Sequence, residues 1–134
     1  MSSITVLQEF KKVLIQFFDE LIEQFPEEGD LVVIRILLKD RAPISDVMNY
    51  FIASVLPEKA LVKDRDPKFF TTSNALFGML NKVMGEGRDL PLRKIWTSPK
   101  LDKDDREVMW KWIDSLILMV ERYQKVFENE NKNI

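Results

Sequence analysis

Histidine and cysteine are both absent from this 134-residue chain. The two absences remove disulfides, thiolate and imidazole metal ligands, cysteine nucleophiles and histidine bases together. Carboxylate, lysine, tyrosine and serine or threonine chemistry remains, as does a divalent ion held by oxygen. No apolar run approaches the roughly 20 residues of a membrane span. The amino terminus also lacks a basic region leading into an apolar stretch and a small-residue cleavage site, so a soluble intracellular protein and not a secreted one is expected. A cysteine-free chain suits a reducing compartment.

Hydrophobic residues make up 46% of the chain and charged residues 31%, the balance of a folded globular protein. The length suits one core and is too short for two. Residues 1–128 are expected to form a single helical domain, and the polar residues 129–134 a disordered tail.

From Ser3 to Phe25, apolar residues return at steps of three and four, the spacing of one helix face, until Pro26 stops the ladder. The run LVVIRILL at 31–38 is rich in β-branched residues and by itself reads as a buried strand. No second strand-like run exists to pair with it. A helix is therefore predicted, capped by Asp30 and, being apolar nearly all round, placed centrally. A third helix follows Pro43 and keeps its spacing through Val47, Met48, Phe51, Ile52 and Val55 to Pro57. Residues 58–74 read as one helical turn and then loop, and 74–84 as a helix broken by Gly85 and Gly87. The last helix should start at Asp102, an N-cap, with Asp104 and Asp105 complementing its dipole, and should fray near Asn129. These segments predict an all-α, compact single-domain bundle of about five to six helices.

The last helix carries Trp110 and Trp112, about 200° apart around its axis, so they cannot face the same way. Trp112 falls with Met109, Ile113, Leu116, Val120, Tyr123 and Phe127 on the main apolar face and is expected in the core. Trp110 falls at the margin, where an aromatic serves as a core flank or as a partner anchor. Leu118 points away from the apolar face.

The acidic groups Asp64 with Asp66, and Asp102 with Asp104 and Asp105, do not fit a twelve-residue calcium loop and are read as caps and solvated loops. Gly85-Glu86-Gly87 lacks the lysine and preceding strand of a phosphate loop and is read as a turn. Neither metal nor cofactor is expected. Residues 1–30 hold seven acids against two lysines, whereas 88–103 hold Arg88, Arg93, Lys94, Lys100 and Lys103 against two acids. With Trp96 nearby, that basic segment has the composition of a nucleic-acid contact. A net charge of −2 and a pI near 5.3 favour a solvated connector instead.

FFDELIEQFPEEGDL, the DPKFF loop, and KIW ahead of REVMWKWIDSLILM together resemble small helical proteins of uncharacterised role in nucleocytoplasmic large DNA viruses of the phycodnavirus and mimivirus kind. The resemblance spans residues 10 to 123. Phe25-Pro26, Asp66 with Phe69-Phe70, Lys94-Ile95-Trp96 and Trp110 match its pattern, and Lys68 stands where an acid is expected. It implies a viral origin, within host cytoplasm or nucleus or in the virion, and carries no catalytic residues. The function expected is a non-enzymatic protein–protein interaction module with a viral or host partner, contacted through Trp96, Trp110, Arg88, Arg93 and Lys94. The alternatives are a nucleic-acid-associated accessory factor using the basic segment, and a small structural component of the virion.

Overall fold

Ser2 opens the first helix, its Oγ accepting from the Thr5 amide at 3.2 Å. Helix α1 then runs Ser3–Gln24 and buries Val6, Phe10, Leu14, Phe17, Phe18 and Leu21 on one face. The computed structural model describes residues 2–73, 75–76 and 91–132. Apart from Ala75 and Leu76, the helix predicted over 74–84 lies outside these residues, as do its glycine break and Arg88.

Helix α2, Gly29–Ile36, is a helix and not a strand, as anticipated from its lack of a pairing partner. Its cap differs from the expectation. Glu28 holds the capping position without a side-chain bond, and Asp30 sits inside the first turn. The helix continues as a wide π turn, Leu37–Arg41, closed by the Ala42 amide on the Leu37 carbonyl at 2.7 Å. Nor is α2 central. Leu31, Ile34 and Leu38 are buried, while Val32, Val33 and Ile36 are 41%, 44% and 47% exposed. An eight-residue helix laid against α1 has one covered side, whatever its composition.

Helix α3, Ile44–Tyr50, passes into a second π turn, Phe51–Val55, and a 3-10 turn, Leu56–Glu58. Pro57 has no N–H for the carbonyl of Ala53, and the widened turn instead gives the Leu56 amide to Phe51. Helix α4, Lys59–Lys63, follows directly. It ends with Asp66 N bonded to Leu61 O at 2.8 Å and Arg65 N to Val62 O at 3.1 Å, a Schellman closure. Arg65 takes the left-handed position usually given to glycine, at φ 54°. The stretch expected to be loop then forms another short helix, α5, Lys68–Thr71, which buries Phe69 and Phe70. Helix α6, Pro91–Trp96, supplies the helical turn anticipated around Ile95 and Trp96.

Helix α7, Lys103–Asn131, starts where the sequence placed it. Asp102 Oδ1 accepts from the Asp105 amide at 2.8 Å and Asp105 Oδ2 from the Asp102 amide at 3.1 Å, a reciprocal capping box built from two aspartates. The helix lies antiparallel on α1. Ser3 meets Glu130, Phe17 meets Trp112, and Gln24 meets Asp105. The pairing also corrects the far end, because residues 129–131 are the last helical turn and not tail. Glu130 takes the Ser3 amide at 2.8 Å and the Ser3 hydroxyl at 2.6 Å, which holds that turn against the start of α1.

Among the described residues all regular structure is helical, and the fold is an all-α bundle built on the α1–α7 pair. Among them no helix is long and apolar enough to cross a membrane.

Candidate functional site

The two tryptophans proposed as partner anchors are core residues. Trp96 is 8% exposed and Trp110 4%. Phe70 stacks on Trp96 at 4.5 Å between ring centres and meets Trp110 at 4.7 Å, while Trp96 meets Trp110 edge-on at 5.2 Å. Phe69 closes the group from α5, at 6.2 Å from Trp110. Two guanidiniums cover it: Arg65 lies 5.7 Å from the Trp110 ring, and Arg106 5.5 Å from the Trp96 ring. Arg106 also donates to the Trp96 carbonyl at 3.1 Å. On the helix wheel Trp110 falls at the margin of the apolar face, about 200° from Trp112. The short helices α5 and α6 cover a second side.

Trp112 departs from its expectation in the opposite direction. It is half-buried, with its ring 5.8 Å from that of Phe17. Beside it, Val108 is 51% exposed. Phe127 lies near the end of α7, exposed and stacked on Tyr123 at 5.5 Å, and is not a core residue. Leu118 points outward as anticipated.

Val108 and Trp112 belong to a groove along the α1–α7 seam. A hollow of about 250 Å³ is lined by Phe17, Glu20, Leu21, Gln24, Asp105, Val108, Met109 and Trp112. A second, of about 230 Å³, continues past Val108 and Trp112 to Lys111 and Ser115. The antiparallel pairing brings the acidic stretches of both helices to this end. Residues 19–30 contain Asp19, Glu20, Glu23, Glu27, Glu28 and Asp30 and no lysine or arginine. The start of α7 adds Asp102, Asp104, Asp105 and Glu107.

Part of that charge is matched within the chain. Arg35 bonds Asp19, Lys100 reaches Glu27 at 3.1 Å, and Arg65 approaches Glu107 at 3.5 Å. Backbone hydrogen bonding, and then Lys100, hold the Glu27 carboxyl below the usual glutamate range. Among the described residues no group of three acids converges as a metal site.

The basic segment is divided by the fold. Arg93 and Lys94 are exposed on α6. Lys100 turns instead to the end of α1, bonding Glu27 and the Gln24 carbonyl and lying 5.3 Å from the Phe25 ring. It clamps the connector onto α1 and does not extend a basic surface. A larger hollow, about 850 Å³, lies between Ile52 and the end of α7, lined by Asn49, Ile52, Tyr123, Gln124, Phe127, Glu128, Asn131 and Lys132. Its two charged groups face each other at 3.7 Å, so it offers a partner no net charge.

Compared with known proteins, the chain matches no family model, no curated protein and no solved structure. The groove is the feature that sequence reading missed. Val108 was not singled out, and Trp112 was assigned wholly to the core. The available signal was its position at the flank of the α7 apolar face, on the side opposite Trp110.

Proposed function

We propose that this protein is a helical protein-binding module that acts by contact through the acidic, apolar groove of the α1–α7 seam. The observation that carries the reading is exposed Val108 beside the partly buried Trp112, set between Glu20 and Asp105. An exposed valine beside the uncovered edge of a partly buried tryptophan offers an apolar contact on rigid elements, the usual makeup of an interface anchor. The surrounding carboxylates select the partner. A segment presenting one large aliphatic or aromatic side chain flanked by lysine or arginine satisfies both the hollow and the charge. A viral origin, implied by the sequence resemblance, stays part of this reading and rests on those residues alone. Contact with nucleic acid through Arg93 and Lys94 has less in its favour, because Lys100 is committed to Glu27.

The test is a selection from a displayed random-peptide library on the full chain. The reading predicts enriched peptides that pair lysine or arginine with a bulky apolar residue and lose binding to Val108→Glu and Glu20→Lys variants that unfold like the parent. Enrichment of acidic peptides, or of binders indifferent to both substitutions, overturns it.

A further inference from the structure

The hollow of about 850 Å³ between Ile52 and the end of α7 holds a polar group that the fold does not use. Tyr123 is only 7% exposed, yet its hydroxyl has no hydrogen-bond partner among the described residues. Among those residues no side-chain oxygen shut off from solvent lacks a partner. The exposed remnant of Tyr123 therefore includes its hydroxyl, and the residue lines this hollow. A buried tyrosine ordinarily bonds its hydroxyl within the protein. Here the hydroxyl is left for what enters the hollow.

The rest of the lining has the same character. Asn49 of α3 and Gln124 and Asn131 of α7 line the hollow, and none of the three carboxamides bonds to the chain. Phe127 lies between the two α7 carboxamides, 46% exposed, with its ring stacked on Tyr123. Ile52 comes from the π turn Phe51–Val55, a widened helix of the kind that recurs at functional sites. The only charges, Glu128 and Lys132, face each other at 3.7 Å and cancel.

This chemistry specifies a ligand. Asparagine, glutamine and tyrosine side chains each donate and accept hydrogen bonds. Alcohol hydroxyls do both as well, and so satisfy such groups without any charge. The negative face of an exposed phenylalanine ring attracts the slightly positive C–H face of a saturated ring. A ring with an apolar C–H face and hydroxyls around its edge is a sugar. Gln124 and Asn131 are seven residues apart on one side of α7, about 10 Å along its axis. A single ring does not reach both, and two linked rings do. A nucleobase keeps its hydrogen-bonding groups along one short planar edge and leaves one carboxamide unmet.

We propose that this hollow binds a neutral oligosaccharide, stacked on Phe127 and hydrogen-bonded by Tyr123, Asn49, Gln124 and Asn131. Its volume lies within the roughly 300–1,000 Å³ of small-ligand pockets. The site is independent of the groove, which occupies the other end of α7.

Nuclear magnetic resonance titration of the full chain with cellobiose, maltose, lactose and N,N′-diacetylchitobiose tests it. At least one of the four should shift the side-chain amide signals of Asn49, Gln124 and Asn131 at millimolar concentration. Phe127→Ala should weaken that binding about tenfold. Tyr123→Phe should weaken it several-fold with melting unchanged, since no bond within the chain is lost. Val108→Glu, in the groove, should leave it intact. The proposal is overturned if none of the four sugars shifts those amides, or if binding is indifferent to both Phe127→Ala and Tyr123→Phe. Binding at the hollow of adenosine or an uncharged tetrapeptide in place of the sugars overturns it equally.

Discussion

Arg65 grips Asp114 with both terminal nitrogens, at 2.9 and 2.8 Å. The residue that makes this fork is the one whose backbone sits in the left-handed region, and its guanidinium also covers Trp110. Asp114, through that hydrogen bonding, raises the arginine pKa above its ordinary value. Two effects therefore oppose each other at one position. The backbone conformation costs about 1–2 kcal/mol for any residue with a Cβ, and the side chain offsets it by tying α4 to α7.

Substitution can separate the two. Arg65→Ala keeps the backbone cost and loses the fork, and should destabilise by about 1–2 kcal/mol, since a half-exposed pair contributes modestly. Arg65→Gly loses the fork but relieves the backbone, and should be more stable than the alanine variant by about 1 kcal/mol. Chemical denaturation of both variants checks the order. An alanine variant equal to or more stable than the glycine variant contradicts the assignment of Arg65 to a strained helix end.

The inverted tryptophans make a second comparison. Trp110→Ala opens the cluster shared with Phe69, Phe70 and Trp96 and should cost about 3–5 kcal/mol. Trp112→Ala removes a half-buried ring from the groove and should cost about 1–2 kcal/mol. Acrylamide quenching gives an independent reading. Most of the quenchable emission should vanish in Trp112→Phe and persist in Trp96→Phe.

Glu130 predicts an effect of acid. Hydrogen bonds from the Ser3 hydroxyl and then the Ser3 amide lower its pKa below the ordinary glutamate value. A carboxyl with a depressed folded-state pKa adds stability that is full above the unfolded value, about 4.3, and is lost as pH falls through the folded value. The melting temperature of the parent should therefore exceed that of Glu130→Gln at neutral pH, and the gap should close on acidification below that range. A gap that widens toward low pH contradicts the pairing.

The long elements were legible because each carries its own periodicity. The apolar spacing from Ser3 to Phe25 and the aspartate cap at Asp102 needed no partner to be read. The short elements had no such signal. The four helical residues Lys68–Thr71 are too few to show a period, and their helix forms because Phe69 and Phe70 dock on Trp96 and Trp110. That docking also decides which tryptophan is buried. A helix wheel gives the angle between Trp110 and Trp112 but not how many neighbours cover the helix, so Trp112 was placed inside and Trp110 at the edge. The groove was hidden for the same reason. It belongs to the pairing of two helices about eighty residues apart, with Gln24 donating to Asp105 at 3.2 Å, and no local window of sequence contains it.

The central claim, that the α1–α7 seam is a contact surface, is tested most directly by placing a photo-activated cross-linking side chain at Val108 and, as a control, at Leu118. Both positions are exposed, at 51% and 62%, and only Val108 lies in the groove. Irradiated in the cell that makes the protein, the Val108 variant should yield a discrete adduct with another protein that disappears when Glu20→Lys is added, while Leu118 yields none. A Val108 variant that gives no adduct, or one that survives Glu20→Lys unchanged, contradicts the account.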